Sequence, residues 1–473
     1  MLSGPAEPNN SEIALEAKLA QAQSEQIAWD YLANPLDGEF YRLRSPVEQA
    51  DRIEVPTFVQ GGWFDGTVRG QSEMYTALAR RRGVETRLWM DPTPHKGPQG
   101  YYNPVGYPDS ALDDPFEALA EFFDRHLNLA DTPDRPPVKL FVMGRDKYIE
   151  GSSWPPAGVR YTRFYASPGS LATAPAAAAE QSYRTNAGDG WTTTLSRHGN
   201  NATTPYLPLD QSLEDGQGLV WQTPKLEQPL TLAGPLSMRL VAASTAPDTD
   251  WIVRVSDVAP GGTATLLTEG YLRASHRALD SSKSRPERPY HPHTEATPVP
   301  PGEFLPYEIE IWPTANEFKP GHRLRVQLTS NDTPNHMPGT FEFDRESGEL
   351  RFEPHPPATN TVRFGGRDGT SLLLPVLGKA PTLNVRRPRI KLAVRPGAAR
   401  AGRRTRFRFR TTAITAQGGR PLSNVKIRFA GRTVKTGRTG AATAARRFKR
   451  PGRYRATASR RGFKIAVRYV RVR

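Results

Sequence analysis

Asp65 and His95 are the two side chains whose types and settings best suit proton-transfer chemistry. Asp65 stands in Gly61-Gly62-Trp63-Phe64-Asp65-Gly66, just after the apolar run Val55 to Val59, and His95 lies beyond a second run, Val84 to Met90. An acid and then a base, each just past a strand, is the order in which a nucleophile–acid–base triad ends. In such a triad the acid holds the imidazole in one tautomer and stabilises its cation, while the base moves the nucleophile's proton. On the pattern alone, Asp65-Gly66 serves equally well as a turn and His95 as a surface loop residue. The chain contains no G-x-S-x-G, and with no cysteine there is no thiol nucleophile, disulfide or thiolate metal site. Ser72, in Gly70-Gln71-Ser72-Glu73, falls between acid and base on an expected helix face and is no replacement.

Positioning an acid and a base requires a sheet, and the flanking pattern predicts one. Residues 69 to 82 suit a helix, and Pro115 opens another in which Phe116, Leu119, Phe122, Phe123 and Leu127 form an apolar stripe. Residues 51 to 128 therefore read strand, helix, strand, helix, preceded by an amphipathic helix over residues 11 to 33. Two strands cannot make an α/β layer, because parallel strands need neighbours to pair their backbone groups. The chain turns strand-rich after about residue 138, so the missing strands are expected from a segment upstream of this sequence.

From Val138 to Leu377 the pattern has period two. Leu324, Val326 and Leu328 alternate with Arg323, Arg325 and Gln327, and Tyr307, Ile309 and Ile311 alternate with Glu308 and Glu310. Turn signals such as Pro260-Gly261-Gly262 separate these runs, which suits an antiparallel sandwich of jelly-roll type. Beyond residue 380 the alternation continues, with Phe407 and Phe409 on one side and Arg404, Arg406, Arg408 and Arg410 on the other, as in a small immunoglobulin-like sandwich. The net charge of +16 conceals a division. Residues 380 to 473 hold 24 Arg and 5 Lys with no Asp or Glu, leaving 35 basic and 48 acidic groups before them. All 8 tryptophans also precede residue 380. Such a tail sets up a positive field suited to polyanions or a cell surface; without a recognition helix or aromatic platform, specific nucleic-acid binding is not expected.

Other clusters carry less. His291-Pro292-His293 with Glu295 has a metal site's composition but reads as a solvated turn, and Asp248-Thr249-Asp250 reads as a turn closing two strands rather than a calcium cage. No phosphate loop or dinucleotide fingerprint is present, so no cofactor or metal is expected. No run of about 18 apolar residues occurs, and hence no transmembrane helix is expected.

Longer stretches carry a resemblance. Ile53-Glu54-Val55-Pro56-Thr57 leading into Gly61 to Gly66 and Arg69-Gly70 resembles the acid-bearing segment of the CocE/NonD hydrolases, which are similar to bacterial X-prolyl dipeptidyl aminopeptidases. The likeness continues through Phe122 to Leu127, Phe141-Val142-Met143-Gly144 and Trp154-Pro155-Pro156. It is strongest at Ser244 to Trp251, Gly270 to Ala274, Ile311 to Asn316 and Pro320-Gly321-His322-Arg323. It spans about residues 30 to 376. The resemblance implies that Asp65 is the triad acid and His95 the triad base. Where the family writes Gly-Pro-Trp-x-His, this chain has Asp91-Pro92-Thr93-Pro94-His95. The family's G-x-S-Y nucleophile, oxyanion-hole tyrosine and most of its sheet lie in a portion not matched here.

The expectation is thus a multi-domain chain. An incomplete α/β-hydrolase domain (1–137) precedes an all-β jelly-roll sandwich (138–379) and a small Arg-rich immunoglobulin-like β-sandwich (380–473). Its expected chemistry is serine hydrolysis of a small acyl ester, amide or peptide, inactive in this chain alone for want of the serine. The alternatives are X-prolyl dipeptidyl-peptidase activity in a full-length form and a non-enzymatic binding protein using the jelly roll and tail. Extracellular or cell-surface location is expected if a signal peptide precedes this sequence.

Overall fold

The computed structural model describes residues 30–31, 33–81, 83–93, 113, 115–175, 177–186, 210–331, 339–344, 347, 350–383, 389–415, 418–460 and 463–473. They form two compact units, divided between Asn384 and Val385. His95 and most of the helix expected over residues 11 to 33 lie outside the described residues.

The first unit opens with a short helix α1 (Glu39–Arg42), a 3-10 turn over Val47–Arg52, and strand β1 (Thr57–Gly62). Helix α2 (Val68–Leu78), β2 (Thr86–Asp91) and helix α3 (Pro115–His126) follow, then β3 (Val138–Val142) and β4 (Lys147–Gly151). The four strands make one sheet in the order β1-β2-β3-β4, parallel except for β4. The expectation that nothing downstream adds to this layer is therefore corrected. Two of its strands come from beyond position 137. Val138 to Val142 is a nearly continuous apolar run with four of its five residues buried, as suits an inner parallel strand rather than one with a wet face. Among the described residues β1 pairs with β2 alone. The stripe expected along α3 also divides. Ala118 and Phe122 are buried, Phe122 edge-on to Phe58 at 5.6 Å, whereas Phe116, Phe123 and Leu127 are about half exposed.

Most of the first unit is antiparallel. After β5 (Val159–Ser167), β6 (Ser170–Ala172) and β7 (Ala179–Thr185) come β8 (Leu219–Gln222), β9 (Leu230–Ser244), β10 (Asp250–Val258) and β11 (Ala264–Arg273). Then follow β12 (Leu305–Phe318), β13 (Arg323–Thr329), a hairpin of β14 (Gly339–Phe343) and β15 (Leu350–Pro354), β16 (Ala358–Phe364) and β17 (Ser371–Leu377). One sheet runs β11-β10-β13-β8. The other runs β6-β5-β17-β9-β16-β7, with β12 along the second edge of β9. Their facing apolar sides meet at Trp251 against Tyr307 (5.3 Å) and Trp221 against Phe364 (5.7 Å), in a core continuous with that of the α/β sheet. The polar alternates of the four-stranded sheet are not wet, however. Arg254, Glu269, Arg325 and Gln327 are fully buried, because a 3-10 segment, Gln211–Gln217, lies over that face. Arg254 donates to the Gln211 side chain (3.2 Å) and Arg325 to the Gln211 carbonyl (3.2 Å), and Arg325 is also ion-paired with Asp215.

The second unit is wholly β: β18 (Arg389–Arg395), β19 (Ala398–Ala399), β20 (Arg404–Thr415), β21 (Gly418–Pro421), β22 (Lys426–Phe429), β23 (Arg432–Lys435), β24 (Ala441–Arg447), β25 (Gly452–Ser459) and β26 (Ala466–Val472). β20 is flanked by β18 on one edge and by β24 and β21 on the other, and a second sheet runs β19-β26-β25-β22-β23. Phe407, Phe409 and Phe429 stack edge to face between the sheets at 5.0 and 5.4 Å. The arginines at 404, 406, 408 and 410 point outward, as the alternation predicts.

Candidate active site

Asp65 follows β1 at the C-terminal end of the parallel strands, and the two glycines before it explain how it gets there. Gly61 and Gly62 stay in the ladder, opposite Met90 and Asp91, so the strand runs three residues beyond the apolar run that ends at Val59. A Cβ on Gly61 would lie 2.1 Å from the Gln71 side-chain oxygen, and one on Gly62 would lie 2.1 Å from the Thr93 carbonyl oxygen. Both contacts are closer than any real Cβ makes; at Gly62 the clash is with backbone, so the loop after β2 can approach only because that position is bare, while at Gly61 it is with the tip of a side chain.

Beyond the glycines the chain is tied on both sides. The Trp63 indole donates to the Phe141 carbonyl of β3 (2.7 Å), and its ring lies 5.9 Å from Trp154. The Trp63 and Phe64 amides donate to the carbonyls of Asp91 (2.8 Å) and Thr93 (3.1 Å), holding the start of the loop that leads toward His95. Asp65 then turns into α2. Its Oδ1 accepts from the Thr67 amide (2.8 Å) and hydroxyl (2.9 Å), and its Oδ2 accepts from Gln71 Nε2 (3.0 Å). The carboxylate is 4 % exposed. A buried, oriented acceptor at this edge suits the acid of a triad, because its donors hold its direction before any imidazole arrives.

Ser72 is also buried, but its hydroxyl donates to the Arg69 carbonyl (2.9 Å) within α2, which leaves it a helix residue and not a nucleophile. Helix α2 is clamped to the sandwich. Arg69 pairs with Glu73 (3.1 Å) and with Glu310 of β12 (2.9 Å), and Arg288 pairs with Glu73 (2.8 Å). Burial raises the Glu73 carboxyl above the ordinary range, although Arg69 and Arg288 pull it back. The loop bearing Asp65 is thus braced by a helix that the β domain itself holds.

Three features here escape the sequence reading. Thr67 and Gln71 are the residues that hold Asp65, and the signal for Thr67 was its place two residues after an aspartate, where a side-chain turn closes. Asp91 is the third. It is 1 % exposed, and its Oδ1 accepts from Trp89 Nε1 (2.7 Å) and from Tyr148 Oη of β4 (2.6 Å). Burial pushes its carboxyl up to about 6, against the pull of those donors. The histidine turn is exposed at His293 and Glu295 as expected and is corrected at one residue. His291 is nearly buried rather than solvated, with its ring nitrogens on the carbonyl oxygens of Ala278 (2.9 Å) and Glu308 (2.7 Å). His293 itself is exposed, and partial desolvation against the neighbouring His276 and His291 rings lowers it below the ordinary imidazole range. Asp248 closes the β9–β10 turn as expected, bonded to Arg273 (2.7 Å) and to the Ser275 amide and hydroxyl. Among the described residues no three ligating side chains assemble as for a metal, and no helix is long and apolar enough to cross a membrane.

Comparison with known proteins matches two family models. Residues 131–373 fit the X-Pro dipeptidyl-peptidase C-terminal non-catalytic domain, and residues 6–97 fit the X-Pro dipeptidyl-peptidase (S15 family). Cocaine esterase of Rhodococcus sp. (strain MB1 Bresler) is 27% identical over 373 residues, covering 73% of this chain and 60% of the esterase. Among solved structures, an aminopeptidase from the marine sediment archaeon Thaumarchaeota archaeon superposes with TM-score 0.62 at 22% identity. A CocE/NonD family hydrolase from Staphylococcus aureus superposes with TM-score 0.57 at 19% identity. Each superposition covers 77% of this chain and 62% of the other, so the chain spans less than two thirds of the length of these relatives.

Proposed function

The chain belongs to the CocE/NonD, X-Pro dipeptidyl-peptidase-like hydrolases, and from that premise we propose that it carries the acid and base of a serine hydrolase acting on acyl esters or amides. Asp65 is the acid and His95 the base in this reading. The observation that carries it is the placement of Asp65, buried at the C-terminal edge of parallel strands with its carboxylate held by Thr67 and Gln71.

The nucleophile comes from elsewhere in this reading, since the sequence contains neither G-x-S-x-G nor G-x-S-Y. Two features support a further segment docking on the α/β layer. β1 pairs with β2 alone among the described residues, and α3 leaves Phe116, Phe123 and Leu127 exposed. An unpaired inner edge and a bare apolar stripe are what an α/β layer presents when a neighbouring segment completes it. The two large antiparallel sheets are read as a jelly roll and the Arg-rich unit as an immunoglobulin-like sandwich.

The test is labelling with a fluorophosphonate together with turnover of p-nitrophenyl esters and of an X-Pro anilide. The purified chain is expected to show neither labelling nor turnover. Fused to the strand-and-nucleophile portion of a relative, it is expected to gain both, and Asp65→Asn in the fusion should lower kcat by on the order of 10⁴. Preference for the anilide over the esters would assign the peptidase branch of the family. Labelling of the unfused chain at any of its own serines, or an Asp65→Asn fusion with undiminished kcat, would overturn the proposal.

A further inference from the structure

The second unit, residues 385–473, holds 24 arginines and 5 lysines and no aspartate or glutamate to neutralise them. The structure shows how they are arrayed. On β20, the central strand of its sheet, Arg404, Arg406, Arg408 and Arg410 all stand on the exposed face, about 7 Å apart as alternate residues of a strand must be. The flanking strands add charge without adding cover. Arg395 lies opposite Arg408 and Arg447 opposite Arg404, while the intervening Ala393, Ala441 and Thr443 are too small to shield the ladder.

The outer face of the second sheet is also cationic. Arg453 lies opposite Arg471, and Arg428, Arg455 and Lys426 share that face. Like charges directly across a strand pair destabilise a sheet. Both faces of one small sandwich therefore carry repulsion that only external anions can relieve.

We propose that this unit binds a flexible, linear polyphosphodiester, which lies along the β20 ladder and continues onto the opposite face. Three observations select that partner. The predominance of arginine over lysine favours phosphate oxygens, which the planar guanidinium fork engages in pairs. Cations on both outer faces fit a polymer that can bend around the unit, whereas a planar bilayer meets one face only. Base stacking has little to work with, since the described β20 face exposes no aromatic ring and Tyr469 on the other face already lies beneath Arg453, 4.7 Å away.

The test measures binding of the full chain to an abasic deoxyribose-phosphate 40-mer, to dT40 and to phosphatidylglycerol vesicles, at 50 and 200 mM salt. The two 40-mers are expected to bind within about threefold of each other. Engagement of the four ladder arginines alone predicts a loss of about 50-fold in affinity over that salt range, from a slope of about −0.7 per phosphate contacted. The variant R404Q/R406Q/R408Q/R410Q should remove that component. The variant R428Q/R453Q/R455Q/R471Q should weaken the 40-mer but not a six-phosphate oligomer, which covers a single face. All eight positions are exposed, and far-UV circular dichroism checks that both variants remain folded. Tighter binding to vesicles at equal phosphate, a tenfold preference for dT40, or salt dependence unchanged in both variants would each overturn the proposal.

Discussion

Replacing Asp91 by asparagine should stabilise the first unit at pH 8 and do so only about a third as much at pH 4.5. The carboxyl is 1 % exposed, and burial raises it from 3.8 to about 6. The folded state thus holds this proton more tightly than the unfolded state does. Between about pH 4 and 6 the unfolded chain releases it first, so stability falls as pH rises, and above 6 the full cost of a buried anion remains. A rise of that size corresponds to about 3 kcal/mol. Asparagine keeps an oxygen for the Trp89 and Tyr148 donors but carries no charge. The value of about 6 already includes the pull of those donors on the anion, so the whole of that cost, about 3 kcal/mol, is the gain expected at pH 8. Glu73, raised by burial, contributes a pH dependence of the same sign, and His293, lowered below the ordinary imidazole range, one of the opposite sign. The informative quantity is therefore the difference between variant and parent at each pH. Urea unfolding followed by tryptophan fluorescence reports it for this unit, since every tryptophan precedes residue 380. A variant that loses stability equally at pH 4.5 and 8 would refute the reasoning and make Asp91 a hydrogen-bond acceptor with no cost of burial.

Two further pairs of substitutions test the packing around the site and in the β domain. Gly62→Ala drives a methyl to 2.1 Å from the Thr93 carbonyl oxygen, so it should cost about 1–3 kcal/mol in urea unfolding, whereas Gly70→Ala, with no atom within 4 Å, should cost nothing measurable. Equal effects of the two would mean that the approach of the Thr93 loop is not what selects glycine. In the four-stranded sheet, Arg254 and Glu269 lie 3.7 Å apart and are almost wholly buried. Arg254→Met alone should cost about 3–5 kcal/mol by stranding the carboxylate, and adding Glu269→Leu should recover most of that loss in the same unfolding assay.

How far these features could be read in advance depended on whether a residue's surroundings are local. In β20 the alternation of phenylalanine and arginine was legible because one face of that strand is dry and the other wet. The same rule misled for β13. Arg325 and Gln327 are as buried as Leu324 and Val326, because the segment Gln211–Gln217, about a hundred residues upstream, lies over the face that the pattern marks as exposed. No spacing within β13 encodes that cover, and the contact is paid for only through the partners that Gln211 and Asp215 supply to the arginines. Asp65 shows the same division at the site. Its position after a strand and two glycines was legible, since a turn and a close approach leave a local mark in glycine. Gln71 was not, because its role depends on the α2 turn bringing residue 71 back over residue 65, and Arg69 and Glu73 depend on Glu310, far along the chain. The motif therefore marks the position of Asp65, the proposed acid, while the direction in which its carboxylate points is set by a helix whose own placement the β domain determines.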